Sequence, residues 1–340
     1  MTPAIFGIAG FELTEDERAF FKEADPAGYI LFGRNCADRQ QLRRLTDDLR
    51  SIHGRDRLIV SIDQEGGRVA RMKPPEWPRY PAGEAFAKLY EIAPASAIEA
   101  MRCNAEAMAL ELALAGISVD YHAPFDVRRP ETVDAIGDRA LGNEPMQVAA
   151  LGRALLDGMA RAGVVGCLKH MPGHGRAICD THKELPTVEA SAAELEADIE
   201  PFRTLSVHPL GMSAHIVFTA WDPDRPATLS SKVIDDVIRR QIGFDGLLLT
   251  DDIDMEALDG SIPERSEQAL AAGCDIVLNC WAKRDDMEGI VERCGKMSKQ
   301  ASERLDRVHA AMGDPMDVIE TAELLAKRDA LLAVAESAAA

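Results

Sequence analysis

Gly163-Val164-Val165-Gly166-Cys167-Leu168-Lys169-His170-Met171-Pro172-Gly173-His174-Gly175 opens as an apolar run and turns polar at Lys169. A short β-branched and aliphatic run reads as a buried strand, and Pro172 with its flanking glycines punctuates the chain beyond it. The stretch is a strand that ends and releases a polar loop, which continues through Arg176-Ala177-Ile178-Cys179 to Asp180-Thr181-His182. From Lys169 to His182, fourteen residues carry three histidines, a lysine and an aspartate.

Two chemistries compete for those histidines. His170 and His174 lie at i, i+4, the spacing of a zinc-binding helix, but proline and glycine between them break helix interiors. Asp180 and His182 lie at i, i+2 on the loop. A carboxylate so close can hold one imidazole nitrogen, fix the tautomer and raise the basicity of the other. Such a pair gains meaning only from a nucleophile or electrophile elsewhere in the chain.

Outward from this strand, short apolar runs recur between amphipathic stretches at about 4–8, 28–32, 58–62, 117–121, 164–168, 210–214, 247–250 and 275–278. Eight strands alternating with helices predict an α/β fold, a single (β/α)8 TIM-type barrel with possible irregularities, and a doubly wound sheet is the alternative. Thr14 with Glu17 and Ser191 with Glu194 form capping boxes. Val148, Leu151, Leu155 and Met159 make one apolar helix face, and Val233, Ile234, Val237 and Ile238 another. Pro201 falls inside a helical pattern and predicts a kink or restart. No Pro/Gly/Ser-rich linker or repeat divides the chain, so 1–340 reads as one catalytic barrel domain ending in a helical stretch over 316–340.

Composition narrows the function. The 340 residues are 46% hydrophobic and 28% charged, enough for a large core. Asp+Glu total 57 against 38 Lys+Arg, a net charge of -19 with no basic run, which disfavours nucleic acid and anionic membranes as partners. Seven scattered cysteines without a Cys-x-x-Cys pair fit a reducing compartment. The N-terminus lacks a basic leader pattern and no run is long enough to span a bilayer, so the expectation is a cytoplasmic protein.

A barrel places its chemistry just after the strands. Arg34 and Asn35 follow the second, Asp63 the third, His122 and Asp126 the fourth, Lys169 and His170 the fifth, His215 the sixth, Asp251 and Asp252 the seventh, and Asn279 the eighth. A rim so rich in hydrogen-bonding groups suits a polyhydroxylated small molecule. In Asp63-Gln64-Glu65-Gly66-Gly67-Arg68-Val69-Ala70-Arg71, Asp63 and Arg71 can clamp hydroxyls, while Glu65 and Arg68 read as an ion pair under the loop. In Thr250-Asp251-Asp252-Ile253-Asp254-Met255-Glu256, Asp254 and Glu256 read as acids at a helix N-terminus.

Together, Lys169-His170-x-Pro-Gly-x-Gly with Asp180-x-His182, the Asp63 motif upstream and Thr250-Asp251-Asp252-x-x-Met255-Glu256 downstream closely resemble the family 3 glycoside hydrolases. Within them, the loop motif resembles the bacterial β-N-acetylhexosaminidases of peptidoglycan recycling. The resemblance implies a retaining enzyme with Asp251 as nucleophile, His182 as general acid/base, and Asp180 as its partner. It places sugar binding on Asp63, Arg71, Arg139, Lys169 and His170, and implies no cofactor or metal. The implied substrate is a GlcNAc-containing muropeptide.

Met171 departs from the bulky Phe or Ile of relatives by a volume-similar swap. Asp254 stands where relatives often carry Ser or Asn, and Cys179 reads as a small apolar filler. A family 3 enzyme or phosphorylase of different sugar preference, a metal-dependent barrel amidohydrolase and a non-catalytic sugar-binding module remain the alternatives. Oligomeric state is not encoded in any of these motifs.

Overall fold

A computed structural model describes residues 1–180, 184–314 and 320–339. Its centre is a parallel sheet of eight strands: β1 (Thr2–Gly7), β2 (Pro26–Leu31), β3 (Ile59–Ile62), β4 (Val119–Asp120), β5 (Leu168–Met171), β7 (Leu210–Ser213), β9 (Leu247–Asp252) and β10 (Ile276–Asn279). β6 (Thr187–Val188) and β8 (Val217–Phe218) form a separate parallel pair on the rim. The order in the large sheet is β4-β3-β2-β1-β10-β9-β7-β5. A parallel bridge from Val119 to Val165, just before β5, joins its two outer strands and closes the ring. The (β/α)8 barrel anticipated from eight alternating runs is the observed architecture.

Alternation along the strands sorts side chains between two cores. Ile5, Ile59, Leu247 and Ile276 fill the ring, while Phe6, Val60, Leu248 and Val277 pack outward against the helical jacket. Leu305 and Val308, on the helix Lys299–Ala311, join the inner cluster and plug the N-terminal mouth of the barrel. Arg304 on the same helix donates to Asp275, whose carboxylate also accepts the Leu248 N–H.

The capping boxes at Thr14 and Ser191 are formed, and the anticipated apolar faces are buried. Two local expectations need correction. The helix Ala192–Thr204 runs through Pro201 without a restart. Proline forfeits its own N–H bond there, and the helix ends three residues later at Thr204, so little helix follows to be redirected. Val233–Gln241 is wound as a wider π-type helix, although its four apolar side chains still face inward.

The fifth strand also differs from the 164–168 run. Val165 bonds to β4, and the ladder to β7 begins only at Leu168, so Lys169 and His170 are strand residues and not the start of the loop. Periodicity places the apolar run correctly but cannot show that two polar side chains stay in the strand because partners inside the barrel satisfy them. The C-terminal helix Thr321–Ala339 lies within the helical stretch expected over 316–340. It packs on the helices Pro94–Leu114 and Gly83–Ile92, with Arg328 donating to Asn104.

Candidate active site

At the C-terminal ends of the strands is a cleft of about 400 Å³, lined among others by Asp63, Arg71, Arg139, Lys169, Asp180 and Asp251. His170 lines it as well, so all the anticipated site residues among those described converge on one cavity. His182 lies outside the described residues. A larger hollow, about 740 Å³, lies elsewhere around Arg43, Arg57 and Gly313 and holds none of these groups.

The floor is a buried charge cluster. Arg139 grips Glu65 with two hydrogen bonds of 2.7 Å, and Lys169 Nζ reaches Glu65 Oε1 at 2.6 Å and the Tyr121 carbonyl at 2.5 Å. Asp63 Oδ1 is 3.7 Å from Lys169 Nζ, while its other oxygen accepts from Arg71 at 3.3 Å. Burial works to raise the Glu65 pKa, but the Arg139 and Lys169 charges overcome it and hold the carboxyl at about 2. The expected Glu65–Arg68 ion pair is therefore corrected. Arg68 turns outward to Asp138 at 3.0 Å, because Glu65 is claimed from inside the barrel by two cations.

His170 is oriented from behind. Asp126 Oδ2 lies 2.8 Å from His170 Nδ1, and Asp126 Oδ1 accepts the backbone N–H groups of His170 and His174. A carboxylate on Nδ1 fixes the tautomer with that nitrogen protonated and turns Nε2 toward Asp251, whose Oδ2 is 4.0 Å away. That distance is too long for a hydrogen bond and leaves room for a substrate atom. The His174 ring stands edge-on to His170, centroids 5.5 Å apart, with its Nδ1 buried and unbonded.

The two neighbouring acids of β9 separate in character. Burial opposes ionisation of Asp251, yet the His170 and His215 rings and the Asp252 N–H, 2.8 Å from Asp251 Oδ1, hold it at about 2. The His215 ring is itself kept below its ordinary value by burial, so near neutrality the permanent N–H dipole matters more than that ring's charge. Asp252 goes the other way: burial, reinforced by the nearby Asp254 charge, raises it well above the usual carboxylate range. The two neighbouring carboxyls thus shift in opposite directions.

Several rim groups are occupied in holding the fold. Asn35 bonds backbone atoms of Phe32, Ile8 and Gly10, and His122 is buried between the Ala123 carbonyl and the Cys167 N–H. Asp254 is not at a helix N-terminus as expected. Its carboxylate accepts from the Asn279 side chain, the Cys280 N–H and the Trp281 N–H, stitching the turn after β9 to that after β10. No helix begins at Glu256 either, because the chain continues as turns to Ser261. Cys179 is half-exposed and not a packed filler. Partial burial, Glu184 and Asp180 raise its pKa and keep the thiol protonated.

Glu65 and Asp126 were visible in the sequence, but spacing did not show that Glu65 holds Arg139 and Lys169 or that Asp126 orients His170. Glu65 carried a signal in its position two residues after Asp63 on a glycine-flanked turn. Asp126 carried one in its place beyond the fourth strand.

A β-hexosaminidase of Aromatoleum aromaticum is 37% identical over 288 residues, covering 82% of this chain and 79% of that protein. One of Bordetella avium is 33% identical over 92% of this chain and 89% of its own. Among solved structures, NagZ from Neisseria gonorrhoeae in complex with N-trifluoroacetyl-D-glucosamine superposes with a TM-score of 0.88 at 31% identity over 98% of both chains. The model of the glycosyl hydrolase family 3 N-terminal domain matches residues 6–311, and the chain belongs to that family.

Proposed function

We propose that the protein is a retaining exo-β-N-acetylglucosaminidase that removes terminal GlcNAc from peptidoglycan-derived muropeptides in the cytoplasm, working as a single catalytic domain. The observation that carries this reading is geometric: Asp251, Asp180, Asp63, Arg71, Arg139, Lys169 and His170 converge on one cleft at the C-terminal ends of the strands, with His170 Nε2 4.0 Å from Asp251 Oδ2.

Asp251 attacks the anomeric carbon as the bond to the leaving oxygen breaks, giving a covalent glycosyl-enzyme through an oxocarbenium-like transition state. His182, on the loop after β5 with Asp180 as its partner, donates the proton to the leaving oxygen and then takes one from the incoming water. Histidine suits both steps because its ordinary pKa lies near neutrality. Lys169 and Arg139, tethered to Glu65, and Asp63 with Arg71 hold the sugar hydroxyls. His170 points Nε2 into the same space. The curated relatives named β-hexosaminidases support the sugar preference.

The test is release of nitrophenol from 4-nitrophenyl N-acetyl-β-D-glucosaminide and from the matching β-glucoside, with EDTA present. Selective, chelator-insensitive turnover of the N-acetyl sugar is expected. Asp251→Asn abolishes it, and near-normal activity in that variant overturns the nucleophile. His182→Ala loses most activity on a disaccharide and much less on the activated phenol. Equal loss on both removes the acid role.

A further inference from the structure

Trp281 is 59% exposed, more than the other large exposed aromatic side chain, Phe11 at 48%. It immediately follows Cys280, whose side chain lines the cleft, and β10 is the hydrogen-bonded neighbour of β9, which carries Asp251. The turn that presents it is held from both sides. Asp254 accepts the N–H groups of Cys280 and Trp281 at 2.8 and 3.1 Å, and Arg34 donates to the Cys280 carbonyl at 2.5 Å and to Ile8 at 2.8 Å. Ala282 then takes a left-handed conformation, φ 58°, that turns the chain sharply. Lys283 Nζ lies 4.9 Å from the centroid of the indole ring.

An aromatic face at a carbohydrate cleft offers broad apolar contact to the C–H face of a sugar ring, and an ammonium beside it offers a charge partner to a carboxylate. Resting on the exo-glycosidase reading above, we infer that Trp281 and Lys283 form the leaving-group subsite. Trp281 supports the ring of the departing sugar where it crosses the rim, and Lys283 selects a sugar bearing an acidic substituent. In an enzyme that removes one terminal residue, only that residue enters the cleft, so the leaving sugar lies over the rim. Cys280 is the cleft-lining residue at that edge, and Trp281 follows it in the chain, exposed on the rim side.

The experiment compares three probes hydrolysed by wild type, Trp281→Ala, Trp281→Phe and Lys283→Gln. These are methyl N-acetyl-β-D-glucosaminide, the β-1,4 disaccharide of GlcNAc, and GlcNAc β-1,4-linked to N-acetylmuramic acid. Trp281→Ala lowers kcat/KM about tenfold on both disaccharides and changes the methyl glycoside by less than about twofold. Trp281→Phe restores most of the loss, and Lys283→Gln affects only the acidic disaccharide. Unchanged disaccharide hydrolysis in Trp281→Ala, or equal loss on all three probes, overturns the subsite. A Lys283→Gln effect that is absent or equal on both disaccharides overturns its role in charge selection. Failure of wild type to hydrolyse even the methyl glycoside points instead to failure of the glycosidase reading.

Discussion

At Glu65 one buried carboxylate serves two cations that face the cleft, so its charge sets where both can stand. Glu65→Gln keeps the shape and removes the charge. It removes the carboxylate paired with Arg139 and leaves Lys169 only the longer contact to Asp63 at 3.7 Å, with an expected stability loss of about 3 kcal/mol. KM for the nitrophenyl substrate should rise more than kcat falls; an unchanged KM removes the positioning role. The carboxyl sits at about 2 in the fold against an ordinary 4.5. The folded state therefore binds this proton less readily than the unfolded state, and the associated stability is full above 4.5 and drains as pH falls toward 2. Urea titrations across that window should show a shallower acid decline in Glu65→Gln than in wild type. A sequence could mark Asp63, Lys169 and Asp251 because strand ends advertise polar side chains, and Arg71 through its glycine-flanked motif with Asp63. It could not choose Arg139 over Arg68 as the partner of Glu65. Both cations are available in the chain, and only the direction in which the carboxylate is buried decides between them.

The loop after β5 is pinned before it reaches Asp180. A Cβ added at Gly175 would lie 1.9 Å from the Val127 carbonyl oxygen, Thr132 Oγ1 donates to the Gly175 carbonyl at 2.5 Å, and Val133 N–H donates to Ala177. Arg176 and Arg129 meet on the Asp198 carboxylate at 2.6 and 3.1 Å. Gly175→Ala must push two backbones apart, at a cost of about 2 kcal/mol, and displace the segment leading to Asp180. Calorimetry and kcat measured together test this, and a variant with wild-type melting and turnover refutes the close approach. Of the elements, the eight strands and both capping boxes were legible because their signals are local. The start of the β5 ladder was not, since it depends on where β7 lies beside it. The role of Asp254 was hidden for a similar reason: its three donors come from residues 279–281.

Across the whole molecule, burial lowers the basicity of several of the described histidines, His215 among them. Burial holds His122 at about 3 and His208 at about 4, and burial with the neighbouring His170 holds His174 at about 4, each below an ordinary 6.5. Each ring is harder to protonate folded than unfolded, so stability should be greatest above 6.5 and fall as pH drops below it toward 4. Denaturation midpoints at pH 7 and pH 5 check the sign; a higher midpoint at pH 5 contradicts it. Barrel closure was legible only as a count of strands, because periodicity contains no information about how the first and last edges meet. They meet at a seam where β4 is two residues long and its contact with the β5 segment rests on the Val119–Val165 bridge. Side chains of the cleft reinforce that seam: Lys169 Nζ bonds the Tyr121 carbonyl, and Asp126 binds two backbone N–H groups across it. The cleft lining and ring closure therefore draw on the same bonds. A sugar in the cleft should slow amide hydrogen exchange at Asp120, Phe125 and Val165, registering its arrival as a tightening of the barrel's weakest join.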